Sequence, residues 1–282
     1  MRPSGWIAPS SPAAEGFHRA LIAVQARRFA TRAHPRAGAI ARALDAVARD
    51  RLPGDELGWI ERIEARRTEI PFEMVAANTQ FALGPSSDAR TAAGAAPSEP
   101  DGATELAQAW HVARWASIPP VWGRVLTRLV RELAPRALLE LGTGLGLSGA
   151  YQGAALELNG DGRLVTLDVH AAGRIAERGF GELGLADRIE HVPGYIDEKL
   201  PGVLERHGPL DFAFLDAEHT EAATLRHFDL VLPHLADGAV VVLDDTNQTE
   251  EMRRAWRTVI ANPRVTLAVP LRRIGIVAVA GG

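Results

Sequence analysis

The chain has 282 residues and a formal charge of −4, is 46% hydrophobic and 23% charged, and contains no cysteine. That composition belongs to a folded globular protein and excludes disulfide frameworks, thiolate metal sites and cysteine nucleophiles. No stretch approaches the roughly 20 apolar residues of a membrane-spanning helix and no secretory leader opens the sequence, so a cytoplasmic protein without membrane partners is expected.

Residues 1–54 hold nine Arg against three acids, yet thirty of the 31 cationic residues of the chain are Arg, Lys199 being the exception. Such a skew reports a GC-rich genome more than phosphate contacts, so no nucleic-acid partner is expected. Apolar positions recur at helical spacing between Phe17 and Leu57, broken at Pro35 and at Pro53-Gly54, and again from Leu57 to Phe72. Residues 1–83 thus read as a helical extension. Residues 84–103, small and polar, read as a linker or lid loop. Helical periodicity returns from Ala103 to Leu133, with a new helix expected at Pro119-Pro120. From Ala137 onward short apolar runs alternate with amphipathic ones, and strands are expected at 137–141, 164–168, 189–192, 212–216, 239–243, 265–269 and 274–280. The gap of 270–273 is too short for a parallel crossover, so the last two strands must form an antiparallel hairpin. The expected fold is α/β: a Rossmann-like, doubly wound, mostly parallel seven-stranded sheet over residues 104–282.

The first strand runs into Glu140, Gly142, Thr143, Gly144, Gly146 and Ser148, at the turn where a doubly wound fold holds a nucleotide-like ligand. A dinucleotide fingerprint needs a third glycine at the position of Leu147. The spacing instead resembles the G-x-G-x-G turn, with a preceding acid, of class I S-adenosylmethionine-dependent methyltransferases. Asp168 closes the second strand, where a carboxylate accepts ribose hydroxyls or caps the next helix. Tyr195 and Ile196 follow the third strand, placed to flank an adenine face, and Asp197 to accept from its amino group. The fourth and fifth strands end in Asp216 and in Asp244-Asp245, adjacent strand ends that bring three carboxylates to one crevice. Like charges so placed repel unless a cation or an Arg intervenes, and a hard divalent ion such as Mg²⁺ would resolve the conflict. The alternative has Asp244 capping a helix, Asp216 bonding to a loop, and no metal. His219, three residues after Asp216, can serve as a general base there.

From about Trp110 to Ala280 the sequence resembles a bacterial family of class I methyltransferases related to the catechol and caffeoyl-CoA O-methyltransferases. The matching segments are LLELGTGLGLS, the strand-end Asp168, LDFAFLDAEH, LPHLADGAVVVLDDTNQTEEMRRAW and LRRIGIVAV. The resemblance implies methyl transfer from S-adenosylmethionine to an oxygen of a small-molecule acceptor, as in secondary metabolism, with Asp216, Asp244 and Asp245 as metal ligands. Two departures stand out: the family's D-N dipeptide is Asp244-Asp245 here, and its acceptor-side lysine is replaced by His219. The readings left beside it are a metal-independent transferase with His219 as base, a non-catalytic adenosyl-binding protein, and a nicotinamide-dependent oxidoreductase, which Leu147 and the hairpin disfavour. Trp110, Trp115 and Trp122 are candidates to cover the crevice, with Trp122 assigned first to the core. The apolar faces of the N-terminal helices need a partner, either the catalytic domain or a second subunit in a homodimer.

Overall fold

Strands of alternating side chains with both faces apolar must be covered on both sides, and the chain supplies helices for each. The computed structural model describes residues 12–76, 117–168 and 170–281. The expected linker, Trp110 and Trp115 lie outside these residues. Three helices come first, α1 (Pro12–Ala30), α2 (Ala37–Ala48) and α3 (Gly54–Ala76), divided where Pro35 and Pro53-Gly54 interrupt the pattern. Then α4 (Pro120–Leu133) opens on Pro120, whose missing N–H costs nothing at a helix start. The remaining elements are β1 (Ala137–Leu141), α5 (Leu147–Asn159), β2 (Arg163–Asp168), α6 (His170–Leu183), β3 (Ile189–Pro193), α7 (Ile196–His207), β4 (Leu210–Leu215), α8 (Glu221–Val231), β5 (Leu235–Leu243), α9 (Glu250–Ala261), β6 (Val265–Pro270) and β7 (Gly275–Val279).

The seven strands form one sheet in the order β3-β2-β1-β4-β5-β7-β6. The first five pair in parallel; β7 is antiparallel to both β5 and β6. Alternation along each strand feeds two cores. Leu138, Phe212, Phe214, Val240 and Ile276 meet α1 to α6, whereas Leu139, Leu141, Ala213, Val241 and Val277 meet α7, α8 and α9. The N-terminal helices therefore share a core with the sheet: Ile22, Phe29, Ile40, Leu44 and Ile63 are buried in it. The apolar faces that required a partner find one within the same chain. Among the described residues no helix is long and apolar enough to cross a membrane.

Backbone bonds hold the carboxyl ends of the central strands in register. Gly142 N donates to Leu167 O (2.9 Å), Asp216 N to Leu141 O (2.8 Å) and Asp244 N to Leu215 O (3.0 Å). The β1 turn, Asp168, Asp216 and Asp244 therefore converge on one rim.

Candidate active site

At the β1 turn Gly142, Gly144 and Gly146 take φ of 98°, 51° and 83°, a region closed to most side chains. Gly142 has a second constraint, because a Cβ there would lie 2.0 Å from the Asp216 carbonyl oxygen. Its lack of a side chain lets the β4 exit press against the turn. Gly144 N donates to Asp168 Oδ2 at 2.6 Å, so the β2-end carboxylate is fastened to the glycine turn. Tyr195 and Ile196 stand at the β3 exit, where Tyr195 is 57% exposed, unusual for a large aromatic ring. Asp197 is engaged elsewhere: Arg226 Nε donates to it at 2.9 Å, and that arginine holds its pKa below the usual carboxylate range.

Glu140 points into the protein. It is fully buried, accepts from Thr166 Oγ1 (2.6 Å) and Gln152 Nε2 (2.8 Å), and receives a further bond from Ser148. Burial pushes its pKa up to about 7. Thr143 is likewise buried, its Oγ1 2.7 Å from Thr166 Oγ1. Glu140, Thr143 and Ser148 thus brace the turn from behind, while Gly144, Asp168 and Tyr195 line its outer side.

On the other half of the rim, His219 stands between two carboxylates, Nε2 3.5 Å from Asp216 Oδ1 and Nδ1 3.8 Å from Asp245 Oδ2. Both separations exceed good hydrogen-bond length, so neither nitrogen is committed to them. Its side chain is 37% exposed, and its backbone, like that of Glu218 and Asp245, lies at positive φ. Such strain in non-glycine residues clusters where a side chain must be aimed. Burial and then the charges of Asp244 and Asp245 push the Asp216 pKa well above the ordinary value, and burial with Asp244 raises that of Asp245.

Arg273, in the β6–β7 turn, is the site residue that the sequence reading missed. Its Nε and Nη2 donate to the two oxygens of Asp244 at 3.0 and 2.7 Å, and Nη2 lies 3.6 Å from Asp245 Oδ1. Asp244 is 1% exposed. The expected metal triad does not fit this arrangement. Both Asp244 oxygens accept from the guanidinium, and among the described residues the one group of three acidic or histidine side chains whose ligand atoms gather within 4.8 Å of one another is Glu69, Glu73 and Glu182, far along α3 and α6. Glu73 is itself paired with Arg66. The charge conflict that called for a cation is relieved by an arginine.

A second omission comes from α1. His18 stacks obliquely on the buried Trp122, ring centroids 5.2 Å apart, and burial followed by the charges of Arg273 and Arg272 lowers its pKa. Phe17 lies under Arg272, 5.3 Å from guanidinium to ring centroid. The extension therefore reaches the rim beside Arg273. The tandem Arg of LRRIGIVAV was the available signal, but nothing local ties it to Asp244.

Residues 139–246 match a family described as a methyltransferase domain. A catechol O-methyltransferase of Niastella koreensis is 31% identical over 133 residues, covering 46% of this chain and 58% of that protein, so the chain spans less than two thirds of this curated relative. An O-methyltransferase from Bacillus cereus solved in complex with SAH aligns at 25% identity with a TM-score of 0.51, covering 59% of this chain and 83% of that one. The O-methyltransferase TomG from Streptomyces achromogenes, solved with SAM, aligns at 25% identity and a TM-score of 0.51, covering 59% and 82%. With the glycine turn, the strand-end acids and the antiparallel β7 already in place, residues 139–246 match a methyltransferase domain, and over this part the chain is similar to a catechol O-methyltransferase and to O-methyltransferases solved with SAM or SAH.

Proposed function

We propose that the protein transfers the methyl group of S-adenosylmethionine to an oxygen of a small-molecule acceptor, with His219 as the base. The observation that carries this reading is the placement of His219 between Asp216 and Asp245, on the same rim as the glycine turn. The residues present suit the cofactor: positive-φ glycines give close backbone approach, Asp168 at the end of β2 is the candidate acceptor for ribose hydroxyls, and exposed Tyr195 offers a stacking face. When bound, S-adenosylmethionine supplies an electrophilic methyl group on a sulfonium. The chain's part is to align the acceptor oxygen and take its proton. His219 would accept that proton as the acceptor oxygen takes the methyl group that S-adenosylmethionine would supply. No step is assigned to a divalent ion, because the carboxylates expected to hold one are arranged around Arg273.

Calorimetry tests the cofactor half: S-adenosylmethionine should bind, NAD⁺ should not, and Asp168→Ala should weaken binding by about tenfold or more. Tighter binding of NAD⁺ would replace the transferase with an oxidoreductase. Transfer of a radiolabelled methyl group to a panel of catechols, phenols and hydroxy acids tests the chemistry, and labelling of nitrogen acceptors alone would contradict it.

A further inference from the structure

Three carboxylates at adjacent strand ends, one of them fully buried, require a positive charge close by. Here it is covalently part of the chain. Arg273 holds Asp244 through two parallel N–H donors and keeps its second charge contact with Asp245. Burial opposes its charge, but Asp244 and Asp245 outweigh that penalty and raise its pKa further. Its backbone is fixed independently, since Thr246 N and Thr246 Oγ1 both donate to the Arg273 carbonyl, at 2.8 and 3.1 Å. Arg272 before it sits at φ 68°, a conformation that sharpens the turn and delivers residue 273 to the rim. The third guanidinium nitrogen, Nη1, has no acceptor among the described residues and is not among the enclosed, unpartnered atoms. It is therefore open to a solute.

We propose that Arg273 is a resident cation that stands where a divalent ion would otherwise sit, and that its Nη1 donates to the oxygen that receives the methyl group. The first half stands on the geometry alone; the second rests on the transferase reading above. A small divalent cation demands several oxygens in near-octahedral array at about 2.1 Å, and at Asp244 it would have to displace or sit against a guanidinium that already spans both oxygens. A guanidinium stays protonated throughout the working pH range and offers donors in a fixed plane. Once His219 has taken the acceptor's proton, the oxygen carries negative charge, and a preorganised N–H beside it stabilises that charge without reorganisation.

Titration of the full chain with Mn²⁺, followed by loss of the free-ion electron paramagnetic resonance signal, tests the first half. Wild type should show no saturable site sensitive to Asp245→Asn. Arg273→Ala should gain a saturable site, which Asp244→Asn in the same chain removes. A wild-type site abolished by Asp216→Asn or Asp245→Asn would overturn the proposal, as would an Arg273→Ala protein that folds and gains nothing. Should Arg273→Ala fail to fold, the wild-type titration still decides this half. For the second half, EDTA should leave turnover of a labelled acceptor unchanged. Arg273→Lys, which keeps the charge but not the fork, should lower kcat by about tenfold or more while calorimetry shows unchanged S-adenosylmethionine affinity. Full activity in Arg273→Lys would remove the acceptor contact. Absence of S-adenosylmethionine binding by wild type would instead end the transferase reading and leave the Mn²⁺ result intact.

Discussion

His219 is held at positive φ between two carboxylates at 3.5 and 3.8 Å, so neither ring nitrogen is committed to a close hydrogen bond with them. Its replacement by alanine should therefore act on chemistry alone. For His219→Ala we expect kcat to fall by about 100-fold with cofactor affinity unchanged. An unaltered kcat would assign the base elsewhere. Glu140 gives a second prediction at this scale. Its pKa in the folded protein is about 7 against an ordinary 4.5, so between those values the native state holds a proton that the unfolded chain releases. Stability must then fall as pH rises through this window and level off above it. Asp216 and Asp245, also shifted upward, add to the fall. Glu140→Gln should make the decline of Tm with pH shallower in thermal melts, and an unchanged slope would show that the buried carboxylate ionises freely.

The turn between β1 and α5 works only because the exit of β4 can rest on it. At Gly142 the positive φ and the 2.0 Å approach to the Asp216 carbonyl act together, and neither is relieved by a side-chain rotation. Gly142→Ala should cost more than about 2 kcal/mol of stability in urea unfolding, because backbone must move. Since the displaced backbone is that of Asp216, cofactor affinity should fall with it. The neighbouring helices begin with less demanding devices: Thr220 and Thr249 accept from Ala223 N and Met252 N at 3.2 and 3.1 Å. These caps set where α8 and α9 start, and hence where the loops carrying His219 and Asp245 end.

In the whole molecule, the helical extension and the sheet are one packing unit. Glu56 of α3 is fully buried and takes Arg128 Nη1 at 2.5 Å and Arg131 Nε at 3.2 Å from α4. Arg36 Nε donates to Gly238 O at 2.7 Å, and Arg62 Nη2 to Leu183 O at 2.7 Å. Glu56→Ala would remove the buried acceptor that two guanidinium groups share, leaving Arg128 with Glu132 and Arg131 with Asn159, and should cost about 3 kcal/mol in a single shifted unfolding transition. Two separate transitions would show that the extension unfolds independently. The strand succession, the antiparallel hairpin, the helix breaks at Pro35 and Pro53, the glycine turn and the strand-end acids were all legible in the sequence, because each depends on periodicity or turn chemistry within a few residues. The inward aim of Glu140, the reach of His18 to Trp122 and the capture of Asp244 by Arg273 were not. The last joins positions 29 residues apart, and it exists because β7 inserts between β5 and β6 and pairs Gly275 with Leu243. Carboxylates at strand ends announce that a counter-charge is needed; which cation answers is decided by non-local strand pairing, which no local pattern encodes.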